Sequence, residues 1–354
     1  MADFFLCALL DWVMLTSSRS TVTFSGMVEK SNIQLLTVGV HGIGAHARNK
    51  LLPAFRESPA IHLTGISTRN DGVRQSQCKT WNCPGWESLE AMLADASPDV
   101  VLVASPIGCH FEDGLTVLNA GSHLWSEKAF TSSEAEAETL IEIALAQDLA
   151  VCVSLAPHYH PLFQTVRTLV EDDEIGKVRS ITAHFGFPHE TNDNMIYDPA
   201  LGCSALLNVG YYPLVMISEL LGSEITLVGA SVIREDGYQV DTSGAALFTS
   251  SSGVTATAEW GYGRDYINRL EIIGQTGAIV AGPVFSKPNH LDIQLALRRQ
   301  NEERSIKVPA ANQFAIMLSA FAAATADPLL RQDMRESTLE HQRLLAQVAT
   351  MAQQ

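Results

Sequence analysis

The chain has 354 residues, 46% hydrophobic and 18% charged. This globular balance excludes an intrinsically disordered chain and leaves room for two domains with separate cores. The formal net charge is −16 and no cluster of Lys or Arg offsets it locally, which excludes nucleic acid and anionic membrane surfaces as expected partners. The six cysteines (Cys7, Cys78, Cys83, Cys109, Cys152 and Cys203) form no Cys-x-x-Cys pair and no zinc-site spacing, so free thiols of a cytoplasmic protein are expected, and no metal.

Residues 1–30 carry apolar runs at 4–10 and 12–15. Asp3 and Asp11 interrupt them and no basic region precedes them, which suits neither a signal peptide nor a membrane span, so an extension outside the fold is expected. Strand and helix then alternate: a strand over 33–40, a helix over 45–57, a strand over 61–67, a loop holding Trp81, Cys83 and Trp86, and a helix over 88–96. The uniformly apolar run 100–104 reads as a strand buried on both faces. A helix over 111–120 ends at Gly121, a strand follows at 123–126, a helix at 132–147 capped by Thr131 or Ser132, and a strand at 149–155. Such alternation predicts a parallel, doubly wound sheet over residues 31–156.

The pattern changes after residue 156. A helix is expected over 163–170. Ile181, Ala183, Phe185 and Phe187 then alternate with Thr182, His184 and Gly186, the period of a strand. A helix over 211–221 precedes five strand-like runs at 226–233, 244–249, 254–262, 268–273 and 277–280. Short turns between them predict an open, mainly antiparallel sheet. Helices over 313–326 and 335–351 close this second α/β domain, 157–354, and are placed to pack back on the first.

The first strand runs into Gly42-x-Gly44-x-x-Ala47, a dinucleotide fingerprint with Ala in the third position. Gly42 permits the turn, Gly44 lets a pyrophosphate approach the backbone, and Ala47 lets the helix pack on the strand. The backbone at Ile43, Gly44 and Ala45 offers N–H groups to the phosphates. After the second strand come Ser67, Thr68 and Arg69 in place of the acid that receives an NAD ribose. A guanidinium and two hydroxyls suit a 2′-phosphate, so NADP(H) is favoured, with NAD(H) the alternative if Arg69 is a plain surface residue and Asp71 acts as the acid. Glu127 and Lys128 follow the strand at 123–126, where such sheets place ligands. Lys128 there can polarise a substrate oxygen. Tyr212 opens a helix, and a phenol can protonate a nascent alkoxide if a nearby cation lowers its pKa. Each also reads as an ordinary residue, a surface ion pair and a core tyrosine. His158 and His160 lie where they could face a cleft or a loop.

Together these positions resemble the Gfo/Idh/MocA oxidoreductase family over residues 33–350. Beside the fingerprint, Ser105-Pro106-x-x-x-His110 looks like the family's Thr-Pro-x-x-x-His turn near the nicotinamide. Glu127-Lys128-Ala129 looks like its Glu-Lys-Pro, and Asn208-x-Gly210-x-Tyr212 is similar to its Asp-x-Gly-x-His/Tyr. The resemblance implies an N-terminal Rossmann domain and a C-terminal α/β domain whose open sheet forms a homo-oligomer interface. It implies hydride transfer on a sugar-like small molecule. Cofactor contacts are implied from Gly42, Ile43, Gly44, Ala45, Ser67, Thr68, Arg69, Ser105, Pro106, His110, Glu127 and Lys128. Substrate contacts are implied from Lys128, His158, Asn208 and Tyr212, with Lys128 and Tyr212 catalytic. The tyrosine is similar to that of glucose-fructose oxidoreductase, dihydrodiol dehydrogenases and deoxysugar ketoreductases, and with the NADP-type loop it favours reduction of a keto-sugar, nucleotide-linked or free. Aldose or dihydrodiol oxidation is the alternative. A non-catalytic NADP-binding sensor and an NAD-retaining glycosidase are further alternatives, the sensor favoured by an amide at Asn208 where a carboxylate is usual.

Overall fold

The computed structural model describes residues 35–222, 225–300 and 302–353. The expected extension at 1–30 lies outside them. Two sheets dominate. The first is six-stranded and parallel, in the order β3-β2-β1-β4-β5-β6, built from β1 (Leu36–His41), β2 (Ile61–Ser67), β3 (Gly85–Trp86), β4 (Val100–Val103), β5 (His123–Ser126) and β6 (Val151–Val153). Successive strands run outward from β1 on one side and from β4 on the other. A crevice therefore opens at the carboxyl ends of β1 and β4, where such sheets bind ligands. All four β4 residues are buried.

Helices cover both faces of this sheet. The fingerprint leads into a π-helical stretch, Ala47–Leu51, continued by α1 (Leu52–Phe55). The others are α2 (Asp71–Trp81), α3 (Leu89–Ala96), α4 (His110–Asn119) and α5 (Glu134–Ala146). Helix α2 stands where sequence reasoning expects only a loop. None of its residues is fully buried, so it lacks the apolar stripe that marks a helix. It is set instead by Asn70, whose side chain accepts from Val73 N. Ser133, not Thr131 or Ser132, caps α5, its side chain accepting from Glu136 N.

The second sheet has eight strands in the order β14-β13-β12-β11-β7-β10-β9-β8. They are β7 (Val178–Gly186), β8 (Ile225–Ile233), β9 (Ser243–Ser250), β10 (Thr255–Gly261), β11 (Ile267–Gly274), β12 (Gly277–Ala281), β13 (Ile293–Arg299) and β14 (Glu302–Val308). β7 and β10 pair in parallel and the other neighbours are antiparallel. One face packs on α6 (Pro161–Glu171) and α7 (Tyr211–Leu221) around Phe185, Phe248, Trp260 and Phe285. The hairpin of β13 and β14 is absent from the sequence reading. β14 is an edge strand with one fully buried residue, Val308, so its pattern is polar.

Helix α8 (Gln313–Ala326) lies on the first sheet. Phe314, Met317, Leu318 and Phe321 share a core with Val38, Val40 and Trp125. Helix α9 (Pro328–Met351) begins seven residues earlier than the expected 335, with Pro328 at its start and Asp327 accepting from Leu329 N. Leu344, Leu345 and Val348 join the second core, while Arg331 pairs with Asp148 at 2.8 Å and Arg335 donates to Leu149 O beside the first sheet. One helix thus ties the two sheets together. Among the described residues no single helix is long and apolar enough to cross a membrane.

Candidate active site

The fingerprint turn is shaped by what it touches. Gly42 has φ +85°, and a Cβ there would overlap the backbone of Ala104 and Ser105, so only glycine fits. A Cβ on exposed Gly44 would meet nothing within 4 Å. The amides of Ala45 to Ala47 precede the first helical bond, Arg48 N to Gly44 O at 3.1 Å, and so head the helix as phosphate donors would. Open space over Gly44 backed by such amides fits a dinucleotide pyrophosphate. Ile43 contributes backbone alone, because its side chain is buried in the first core.

The ribose loop follows β2. Ser67 is fully buried and Arg69 exposed. Asp71 does not stand free as an acid for a ribose. It pairs with Arg74 at 2.6 Å and accepts from Gln75, while Arg74 also donates to Thr68 O. Ser105 donates to Asp113 Oδ2. Ser67 and Asp113 both approach His41, which sequence reasoning passes over although it directly precedes Gly42.

The third segment follows β5. Glu127 N donates to Val103 O, and Glu127 Oε1 lies 3.4 Å from His46 Nε2, joining this turn to the fingerprint helix. Burial pushes the Glu127 carboxyl up, but His46, Lys128 and Ser154 outweigh it, and its pKa lies below the ordinary value. Lys128 Nζ donates to Asn208 Oδ1 at 2.7 Å and Asn208 O at 2.9 Å, and Asn208 Nδ2 donates to Tyr262 Oη at 3.0 Å. A lysine has three donors, so one remains beyond the two taken by Asn208. Burial lowers the Lys128 pKa to about 8, with Glu127 opposing the fall. The Lys128–Ala129 peptide is cis, at the position where the family pattern has proline.

Tyr212 stands beside this lysine in a different way from the expectation. Lys128 Nζ lies 5.2 Å from the centroid of the Tyr212 ring, facing its π surface. Burial, with the Glu127 charge, pushes the phenol pKa up, so the expected lowering by a cation is absent and the group stays protonated. Phe185 and Phe285 wall the ring, at 5.5 and 6.3 Å between centroids. A π-helical stretch, Leu206–Gly210, feeds α7 and carries Asn208. Within it Gly210 lies against Trp260, where a Cβ would collide with the indole.

Two of the expected contact residues have their rings engaged within the protein. His110 is 2% exposed, and its ring nitrogens lie 2.9 Å from Ala129 O and 2.8 Å from Ser105 O. It braces the Ser105 loop against the Lys128 turn, and Pro106 directly precedes the short helical turn Ile107–Cys109. His158 pairs with Glu219 on α7 at 3.2 Å, and Glu219 also receives His341 of α9 at 2.8 Å. The structure joins His158 to this cluster. Tyr262, at the end of β10, is a missed member of the site, and nothing local in its sequence marks it.

Residues 36–155 match the oxidoreductase family with an NAD-binding Rossmann fold, and residues 163–280 match the GFO/IDH/MocA C-terminal domain. The chain is 30% identical to dTDP-3,4-didehydro-2,6-dideoxy-alpha-D-glucose 3-reductase of Streptomyces violaceoruber, over 82% of this chain and 86% of that protein. It is 29% identical to the enzyme of the same name from Actinomadura kijaniata, over 92% of this chain and 98% of that one. The crystal structure of KijD10, a 3-ketoreductase from Actinomadura kijaniata in complex with NADP and TDP-benzene, superposes with a TM-score of 0.86 at 29% identity, covering 89% of this chain and 97% of that one. An aldose-aldose oxidoreductase from Caulobacter crescentus shares the fold, with a TM-score of 0.81 at 19% identity over 90% of this chain and 97% of that one. The chain belongs to the Gfo/Idh/MocA family of oxidoreductases.

Proposed function

We propose that this oxidoreductase uses NADP(H) to reduce the keto group of a nucleotide-linked sugar. The observation that carries the reading is the Lys128–Asn208–Tyr212 arrangement on a turn that Glu127 joins to the fingerprint helix, in a chain similar along nearly its full length to dTDP-keto-sugar reductases. NADPH would be held by the Gly42–Ala45 turn, by Ser67, Thr68 and Arg69, and by the Ser105-Pro106 and Glu127-Lys128 turns. When bound it supplies the hydride. Lys128 points its remaining donor at the substrate oxygen and favours the charge that develops there. Tyr212 gives its proton to that oxygen as the carbonyl carbon is reduced. The raised phenol pKa keeps Tyr212 in the protonated form that a donor needs, and Asn208 fixes the lysine without adding a negative charge.

A second reading is aldose oxidation with NADP+. It is favoured by 26% identity to D-xylose 1-dehydrogenase (NADP(+)) 2 of Haloferax volcanii over 70% of this chain and 75% of that one. The paired Lys128 and Tyr212 argue against a non-catalytic sensor. We also propose a homo-oligomer through the open face of the second sheet, the face on which the register places exposed Leu247, Ile273 and Ile233, and action in the cytoplasm, in line with the five described cysteines being free thiols.

Fluorescence titration of the purified protein with NADPH and NADH tests the cofactor assignment. Tighter NADPH binding that Arg69→Ala weakens more than NADH binding is expected. Equal losses for the two cofactors would remove Arg69 from the 2′-phosphate site, and no binding of either would overturn the enzyme reading.

A further inference from the structure

His41 is the last residue of β1, directly before Gly42, and its ring lies where three cofactor-facing segments meet. The ring Nδ1 is 2.8 Å from Ser67 Oγ, at the end of β2. The ring Nε2 is 3.6 Å from Asp113 Oδ2, in the first turn of α4. The ring thus shares a hydrogen bond with the Ser67 hydroxyl and turns its other nitrogen to the Asp113 carboxylate. The same Asp113 oxygen accepts from Ser105 Oγ, at the end of β4. The ends of β1, β2 and β4 are thus joined by side chains as well as by the ladder.

The position of Asp113 poses a physical problem for the cofactor reading above, on which this inference rests. A carboxylate one imidazole away from Ser67 is a like charge near the place proposed for a 2′-phosphate. Arg69 and Asp113 both act electrostatically on His41 and on Cys109, so they share one neighbourhood. An acid free to reach that place would instead accept a hydrogen bond from a ribose 2′-hydroxyl, as acids do in NAD sites.

We propose that His41 is a specificity-determining positioning residue of the cofactor site. Anchored by Ser67, its ring covers the Asp113 carboxylate, and Ser105 donates to the same carboxylate oxygen. This lets Thr68 and Arg69 receive a 2′-phosphate in a site that contains an acid. Without the imidazole, Asp113 opposes the phosphate and favours the hydroxyl.

The test compares dissociation constants for NADPH and NADH, by fluorescence titration, in wild type, His41→Ala, His41→Asn and Asp113→Asn, and in the double variant His41→Ala with Asp113→Asn, with thermal melting as the check on folding. Asn keeps a polar side chain at the position but is too short to cover Asp113, so it preserves the test if the space left by Ala disturbs folding. We expect each His41 variant to bind NADPH about ten-fold or more weakly, with NADH changed by less than about three-fold or tightened. Adding Asp113→Asn restores most of the NADPH affinity. Equal losses for both cofactors, or no recovery in the double variant, would overturn the role and leave His41 as a packing residue. Wild type that binds neither cofactor would overturn the cofactor reading itself, whereas wild type that prefers NADPH with unchanged His41 variants would overturn this inference alone.

Discussion

At the scale of single residues the account rests on Lys128, Asn208 and Tyr212. Their spacing is legible in the sequence because each follows a strand end or opens a helix. Their mutual geometry is not legible, because Lys128 and Asn208 are 80 positions apart and meet only when the two sheets close on each other. Sequence logic pairs a cation with the phenol oxygen, yet the amine lies over the ring and gives its hydrogen bonds to Asn208. Lys128→Met and Tyr212→Phe should each cut turnover about 100-fold or more, with NADPH binding by fluorescence nearly unchanged for Tyr212→Phe. Near-normal rates would remove them from the chemistry. The pH dependence has a definite sign. Burial brings the Lys128 pKa down to about 8, so the amine is charged below that pH and neutral above it. The kcat/KM for reduction should therefore fall as pH rises through about 8. Asn208→Asp places a carboxylate against the ammonium, favours the charged form and should move this limb to higher pH. A limb that stays put in the variant would mean that another group titrates there.

At the scale of elements, the strand, turn and helix of the fingerprint are the part best read from sequence, since Gly42 is required by the turn itself and Gly44 keeps the space above the backbone open. Gly42 and Gly44 make different predictions. Gly42→Ala forces a Cβ into the backbone of Ala104 and Ser105 at a positive φ, and should cost about 1–3 kcal/mol or more of stability, seen as a lower melting temperature. Gly44→Val places its side chain in open space, so melting should hold while NADPH binding is lost. A Gly44→Val protein that still binds NADPH would place the pyrophosphate elsewhere. The elements that sequence reasoning misses share a cause. Helix α2 and strand β14 lie at edges and bury little, so hydrophobic periodicity has nothing to report. β13 could have been found, since Ile293, Leu295 and Leu297 alternate as buried residues.

At the scale of the whole molecule, α9 and the Glu219 cluster hold helix α7, which carries Tyr212, in place. Glu219 receives His158 from the segment after β6 and His341 from α9, so one carboxylate links three parts of the chain. Nothing in the sequence marks that link, and His158 there reads as well as a cleft residue. Burial pushes the Glu219 carboxyl up, but the two imidazoles outweigh it and hold the pKa well below the ordinary 4.5. A depressed carboxyl stabilises the fold above its unfolded value and loses that contribution as pH falls toward the folded one. Glu219→Gln should therefore lower stability at neutral pH by about 1–3 kcal/mol in denaturant titration, and the gap from wild type should close below pH about 4.5. A gap that is constant across this range would mean that the charge is not what matters.

The central claim is reduction of a nucleotide-linked keto-sugar, and its most direct test is turnover. Purified protein would be supplied with NADPH and the dTDP-linked 3-keto-deoxysugar, with NADP+ and free aldoses such as D-xylose in parallel. The account predicts NADPH consumption with the nucleotide-linked ketone, a new hydroxyl at the former keto carbon, and little oxidation of free aldoses. Rapid oxidation of a free aldose with no turnover of the nucleotide-linked ketone would contradict it.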